Sequence, residues 1–416
     1  MMLFYHLSIF LLTSGIRLAA AWNPKARAWV KGRAGVLDKV EAVMKDVKET
    51  KRIWIHCASL GEFEQGRPVL ESLRRQYPQC FILLSFYSPS GYEVRKNYVH
   101  ADQVFYLPAD TVSNAEKFIE QVKPTLVIFV KYEYWLNYFR ILQRKGIPLL
   151  MISAIFQTDQ VFFKWYGGIW RKALSCVNYF FVQNMESGEL LAKQGISNYS
   201  VVGDTRFDRV ISIAENFEDI PLVRQFCGTG FVIVAGSTWP EDEEVWAHIA
   251  NNRKDIKFIL APHELYEDNL KNTSKLFHRI ILYSALENGV SADESNILVI
   301  DNFGLLSRLY HYADICFIGG GFGNGIHNIL EAAVHGKPLL FGPVCQKFQE
   351  ALDLLDLGGA QTVESAIELE KVVGQLLNNP DERKERGYVC RNYVQGKAGA
   401  TSKILQYIQE NRLLTS

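Results

Sequence analysis

The chain lacks any C-x-x-C pair: its seven cysteines, Cys57, Cys80, Cys176, Cys227, Cys316, Cys345 and Cys390, are scattered along it. That spacing excludes a disulfide scaffold or a zinc framework and suits reduced thiols in a cytosolic compartment. Net charge is also missing, with 45 basic and 45 acidic side chains, which argues against general nucleic-acid binding. There is no H-E-x-x-H, no D-x-D and no His/Cys cluster, so neither a metal nor another cofactor is expected. No G-x-S-x-G occurs, which removes support for Ser-His-Asp hydrolysis. Internal repeats and low-complexity tracts are absent too. One absence is local: residues Met1 to Leu37 contain no acid, yet hold Arg17, Lys25, Arg27, Lys31 and Arg33.

What is present begins with an apolar run, Met1 to Leu12, ahead of those basic residues. A secretory signal carries its positive charge before the apolar core, not after it. A bilayer span takes roughly 20 apolar residues, and Arg17 interrupts this run. A monotopic anchor at the cytoplasmic face of the membrane, its basic flank on anionic lipid, is the expectation; the alternative is a core helix.

At 416 residues the chain exceeds one ordinary core, so two domains are expected. Short β-branched or aromatic runs alternate with amphipathic stretches, the pattern of parallel α/β layers. The first strand series is 52–56, 81–85, 103–107, 126–130, 148–152, 179–182 and 201–202; the second is 231–235, 257–260, 279–282, 297–300, 315–318 and 338–341. The expected organisation is an anchor over 1–37, a Rossmann-like domain over 38–213, a linker over 214–230 and a second Rossmann-like domain over 231–381. A long C-terminal helix, from about Glu382 to Asn411 within 382–416, would cross back to the first domain. Two doubly wound sheets place their ligands outside the carboxyl ends of the strands, here in a cleft between the domains.

The densest signal is Phe317-Ile-Gly-Gly-Gly-Phe-Gly-Asn-Gly-Ile-His-Asn-Ile-Leu-Glu331, where a strand run ends in five glycines within seven residues. Glycine lets the backbone approach a ligand, and a helix N-terminus, expected near Asn328, presents unpaired N–H groups to a phosphate. Glu331 would then reach sugar hydroxyls. The competing reading is a tight strand-to-helix turn. Three further loops follow strands: Gly236-Ser237-Thr238-Trp239, Ala261-Pro262-His263-Glu264 and Asp301-Asn-Phe303-Gly304-Leu305. In the first half, His56-Cys-Ala-Ser59-Leu-Gly-Glu62 follows the first strand. Ser59 and Glu62 fit a capping box; alternatively Glu62 is a general base for an acceptor hydroxyl. Glu64 is the less suitable base, and a His56–Glu62 pair is a further possibility.

With these residues in view, the chain resembles the Kdo transferases, the 3-deoxy-D-manno-octulosonic acid transferases of lipopolysaccharide synthesis. Ser59-Leu-Gly-Glu62 is similar to the family's Ser-Val-Gly-Glu, Ser88-Pro-Ser-Gly91 to its Thr-Pro-Thr-Gly, and Gly203-Asp-Thr-Arg-Phe-Asp208 to its Gly-Asn-x-Lys-Phe-Asp. His327-Asn-Ile-Leu-Glu331 and Leu340-Phe-Gly-Pro343 resemble His-Asn-Pro-Leu-Glu and Leu-Phe-Gly-Pro. The resemblance implies a GT-B fold, a CMP-Kdo donor, a lipid A precursor (lipid IVA-like) as acceptor, and metal-independent inverting transfer at the inner membrane with Glu62 as base. It carries the CMP contacts onto Pro262, Phe303, Gly304, Leu305, Asn328, Ile329, Leu330 and Glu331; His263, Gly236 and Ser237 join them as candidates. The chain departs from the family at three places. Pro262-His263-Glu264 stands for Pro-Arg-His, so His263 replaces an arginine. Lys131 reverses a charge two residues before Glu133, and Ser153-Ala-Ile-Phe-Gln157 replaces Asn-Ala-Arg-Leu-Ser. The competing functions are a GT-B transferase using a UDP-sugar on a lipid acceptor, and a membrane-anchored glycan-binding scaffold.

Overall fold

The computed structural model describes residues 2–414. They form two compact units, residues 2–209 with 398–414, and Val210–Lys397.

The first unit is built on β1 (Arg52–Cys57), β2 (Phe81–Phe86), β3 (Gln103–Tyr106), β4 (Leu126–Val130), β5 (Leu149–Ala154), β6 (Tyr179–Val182) and β7 (Tyr199–Val201). All neighbours are parallel, in the order β3-β2-β1-β4-β5-β6-β7. The strands read as continuous apolar runs because both faces are covered. Trp54, Leu83, Phe129 and Met151 enter one core, while Ile53, Ile55, Ile82 and Ile128 enter the other. That split is the two-residue period of a strand.

Three helices precede β1: α1 (Met2–Ala19), α2 (Pro24–Arg33) and α3 (Val36–Met44). One edge of α1 is docked. Tyr5 and Ile9 are buried in the first core, and the Tyr5 ring meets Trp170 edge-on at 5.7 Å. The Tyr5 hydroxyl donates to the buried Asp110 carboxylate, which also accepts from Asn137 N at 3.0 Å and Tyr138 N at 3.1 Å. Burial raises the Asp110 carboxyl to about 6, although those donors favour its charged form. The other face of α1 leaves Leu3, Phe4, Phe10, Leu11 and Leu18 exposed. Among the described residues α1 is the one helix long and apolar enough to cross a membrane. The expected anchor run begins at Met1, which lies outside the described residues.

The second unit holds β8 (Phe231–Thr238), β9 (Ile256–Pro262), β10 (Ile280–Leu282), β11 (Ile297–Val299), β12 (Ile315–Ile318), β13 (Leu339–Phe341) and β14 (Ala360–Thr362). Its order is β10-β11-β9-β8-β12-β13-β14, again all parallel. β14 is absent from the sequence expectation: three residues after Gly358-Gly359 show no alternation, and the strand forms because the β13 edge pairs it.

The expected single C-terminal helix is two, Pro380–Gly396 and Ala400–Glu410. Gly399 breaks it with φ 106°, a backbone setting that glycine adopts without strain. The second piece belongs to the first unit, where Ile404 and Ile408 join the core of Phe63 and Leu73. Asp208 caps it, accepting from Gly399 N at 2.6 Å and Thr401 N at 2.7 Å. In the same motif, Asp204 accepts from Gln65 Nε2 at 3.1 Å and Arg206 Nε at 2.8 Å.

Candidate functional site

In a doubly wound sheet the chain leaves β1 in one direction and later returns to its other side, which opens a crevice at the carboxyl ends of the two central strands. The strand orders put these switch points between β1 and β4 in the first unit and between β8 and β12 in the second.

At the first switch point β1 runs into α4 (Leu60–Gln76), with Glu62 in its first turn. The expected capping box does not form. Ser59 occupies the N-cap with no side-chain bond to the backbone, and its hydroxyl donates to the Glu62 carboxylate instead. Glu62 thus carries one neutral donor. Glu64 is tied to Arg95 at 2.9 Å and Arg67 at 3.5 Å. The His56–Glu62 pair is also corrected: His56 Nε2 lies 3.4 Å from Glu133 Oε2, and its Nδ1 lies 2.8 Å from Ser85 Oγ. Glu133 stands on the loop after β4 and accepts from Trp135 Nε1 at 2.5 Å. Two carboxylates therefore follow adjacent central strands, Glu62 in the first turn of α4 after β1 and Glu133 on the loop after β4. Tyr132, next to Glu133, has its phenol raised by burial and by the charge of Glu62. Ser88 caps α5 (Pro89–Arg95), accepting from Ser90 N at 3.3 Å. Gly91 is required there because a Cβ would lie 2.2 Å from the Phe86 ring.

At the second switch point the loops after β11, β9, β8 and β12 lie side by side in that order. They carry Phe303-Gly304-Leu305, Pro262-His263, Ser237-Thr238-Trp239 and Gly319 to Glu331. Three rings stack here: Trp239 on His263 at 4.8 Å and His263 on His327 at 4.2 Å between centroids. Trp239 Nε1 donates to His327 Nε2 at 2.9 Å. Burial, and then His263, lowers the His327 imidazolium to about 4. Asp242 joins the loops of β8 and β12, accepting from Trp239 N at 2.9 Å and Gly320 N at 2.7 Å. Burial raises its carboxyl. Asn328 Nδ2 donates to Glu331 Oε1 at 2.9 Å, while Ile329 and Leu330 are buried. Phe303 is 81% exposed.

The glycine loop differs from the expected phosphate cradle in two respects. Its helix is a single turn, Leu330–Ala333, so the macrodipole at its start is slight. Its amides also turn inward: Gly319 N binds Gly236 O at 2.9 Å, Gly320 N binds Asp242, and Gly323 N and Gly325 N both bind Gly320 O at 3.0 Å. Several glycines answer to packing. A Cβ on Gly319 would lie 2.2 Å from Ser237 O, and one on Gly321 would lie 2.5 Å from Gly342 N. Gly236 is another packing position, since a Cβ there would meet the Tyr310 hydroxyl at 2.0 Å. The strand-to-helix turn accounts for these positions. Ser237 keeps a left-handed backbone, φ 54°.

Sequence reasoning passed over Trp239 and Asp242 as ligands of the loop, although both stand in the stretch after β8. The signal was an acid three residues after a tryptophan at a helix start. Among the described residues no group of three or more His, Cys, Asp or Glu side chains comes together as a metal site.

Two parallel seven-stranded sheets define the GT-B class, with Glu62 and Glu133 at one switch point and the ring stack at the other. The fold is that of the UDP-GlcNAc 2-epimerase of Neisseria meningitidis, solved with UDP-GlcNAc (TM-score 0.61, 16% identity, 86% of this chain and 100% of that one). The enzyme of Methanocaldococcus jannaschii shares it (TM-score 0.53, 17% identity, 86% and 99%). Residues 30–209 match the family model of the 3-deoxy-D-manno-octulosonic-acid transferases. The chain is 26% identical to the 3-deoxy-D-manno-octulosonic acid transferase of Chlamydia trachomatis serovar D over 81% of its length and 80% of that protein. It is 24% identical to the Bordetella pertussis transferase, covering 86% and 87%. It is also 28% identical to a bifunctional glycosyltransferase/methyltransferase of Fusobacterium nucleatum, over 82% of this chain but 55% of that protein's length. The chain is a homologue of the Kdo transferases, which are glycosyltransferases.

Proposed function

We propose that the protein transfers Kdo from CMP-Kdo to a lipid A precursor of the lipid IVA type, with inversion and with Glu62 as general base. The observation that carries this reading is the place of Glu62: a carboxylate at the switch point of the sheet within the residues that match the Kdo transferase model, released from capping and held by Ser59. A base for an alcohol must be positioned and partly desolvated. As the acceptor oxygen bonds to the anomeric carbon of Kdo, its proton passes to Glu62. The bond from that carbon to the phosphate oxygen breaks, and its electron pair leaves with CMP.

The second unit holds the nucleotide. Glu331, fixed by Asn328, takes ribose hydroxyls, and Pro262, Phe303, Gly304, Leu305, Ile329 and Leu330 shape the pocket around it. His263 meets the phosphate in place of the family's arginine. No metal takes part in this scheme, so activity persists in EDTA. The exposed apolar face of α1, with Arg17 in its last turn and Lys25, Arg27 and Lys31 beyond it, lies on the cytoplasmic face of the inner membrane as a monotopic anchor. The docked Tyr5 edge supports a surface-lying helix over a spanning one.

Glu62→Gln tests the base: CMP affinity stays, and Kdo transfer to a tetraacyl acceptor falls by roughly 100-fold or more. Turnover within a few-fold of the parent sinks the assignment. Titration with CMP against UDP separates this reading from a UDP-sugar transferase.

A further inference from the structure

Behind Glu133 runs a buried line of hydrogen bonds that the scheme above does not use. Trp54 Nε1, a donor only, gives its proton to Ser85 Oγ at 2.7 Å. Ser85 Oγ lies 2.8 Å from His56 Nδ1 and has no third partner among the described residues. Trp54, His56 and Ser85 are all 0% exposed. Ser85 has one proton of its own, and inside the core that proton needs an acceptor. Nδ1 is the acceptor within reach, so the imidazole proton resides on Nε2 and points to Glu133 Oε2, 3.4 Å away. Trp135 Nε1 donates to the same oxygen. Glu133 Oε1 accepts from no protein donor among the described residues and is not a buried unpartnered atom. The result is a carboxylate clamped on one oxygen by two neutral N–H groups, with the other oxygen available, on the loop beside the strand that leads to Glu62.

We propose that His56 is a positioning residue: with Trp54 and Ser85 behind it, it fixes the Glu133 carboxylate so that Oε1 accepts a hydroxyl of the acceptor sugar while Glu62 takes the proton of the attacking one. This rests on the transfer reading above. A buried polar line costs stability wherever it is incomplete, and every member here is satisfied. The line therefore converts the rigidity of the sheet into the orientation of one side chain. His56 is held by β1, and Ser85 by β2, to which β1 is paired residue for residue.

The test uses the full-length protein in detergent with CMP-Kdo and a tetraacyl acceptor. His56→Leu and Glu133→Ala each lower kcat/KM for the acceptor by about 10- to 100-fold, and CMP affinity, measured on the same samples, stays unchanged. The double variant is no slower than Glu133→Ala alone, because His56 acts through Glu133. Losses that multiply in the double variant overturn the proposal and leave His56 a core residue. Should His56→Leu fail to fold, His56→Gln and His56→Asn decide. The glutamine amide reaches the Nε2 position and keeps most of the rate, whereas asparagine falls short and loses it; equal rates refute the idea. A readout without turnover separates this proposal from the transferase assignment. Histidine 15N spectra show His56 as the Nε2–H tautomer, and Ser85→Ala releases that preference. An Nδ1–H tautomer in the parent protein overturns the line even if Kdo is transferred.

Discussion

Gly321→Ala separates packing from ligand contact in the glycine loop. Its added Cβ would stand 2.5 Å from Gly342 N, 2.7 Å from Gly342 Cα and 2.8 Å from Gly342 O. The shortest of these is about 0.9 Å inside ordinary contact, and all three atoms are backbone, so no rotamer change relieves the overlap. The loop after β12 must lift from the loop after β13, which breaks the 2.9 Å bond from Val344 N to Gly321 O. Overpacking plus one lost buried bond comes to about 3–4 kcal/mol. For a unit of this size that is a fall in Tm of roughly 6–16 °C. Gly323→Ala is the control: its nearest neighbour would be Gly320 O at 3.8 Å, so stability stays within about 0.5 kcal/mol. Calorimetric unfolding reads both, and CMP titration on the same samples reads the site. Gly321→Ala weakens CMP binding together with stability, and Gly323→Ala changes binding alone or nothing. A Gly321→Ala protein that melts with the parent refutes the close-packing argument.

His263→Arg restores the family's residue and tightens CMP binding about 5- to 10-fold by titration, as a charge-assisted contact does; unchanged affinity places His263 away from the phosphate. His327 and His335 are both lowered to about 4 by burial. The unfolded chain therefore binds protons that the folded one refuses, and stability that is full above pH 6.5 is lost as pH falls through 4. Urea melts at pH 7 and 4.5 read this as up to about 2–3 kcal/mol for the buried His335 and less for the part-buried His327, where solvent screens the charge, and a flat profile disproves it. Phe4→Asp with Leu11→Asp, on the exposed face of α1, abolishes flotation with anionic liposomes at constant Tm. Tyr5→Phe instead lowers stability by about 1–2 kcal/mol by stripping a donor from buried Asp110. Deleting Met1 to Ala21 would confound the two effects, because it uncovers Asp110.

Much of the fold was legible because parallel strands buried on both faces must be apolar along their length. Leu126–Val130, Tyr179–Val182 and Ile315–Ile318 were placed to the residue for that reason. β14 was not, since Ala360-Gln361-Thr362 is strand only by virtue of the edge it joins. Asp208 was readable as part of a motif, but not as the cap of a helix nearly two hundred residues later in the chain.

The order of apolar runs, breakers and carboxylates along the chain determined by itself that two doubly wound sheets form and that Glu62 follows a central strand. These are local matters, settled by backbone propensity and by which residues avoid water. Whom each polar group meets was decided by tertiary structure alone. His56 turns to Glu133, Asp208 to the start of the last helix, and the Gly319 and Gly320 amides to Gly236 and Asp242 instead of outward. The reason is geometric: hydrogen bonds act over about 3 Å, and only strand order and register bring groups distant in sequence within that reach.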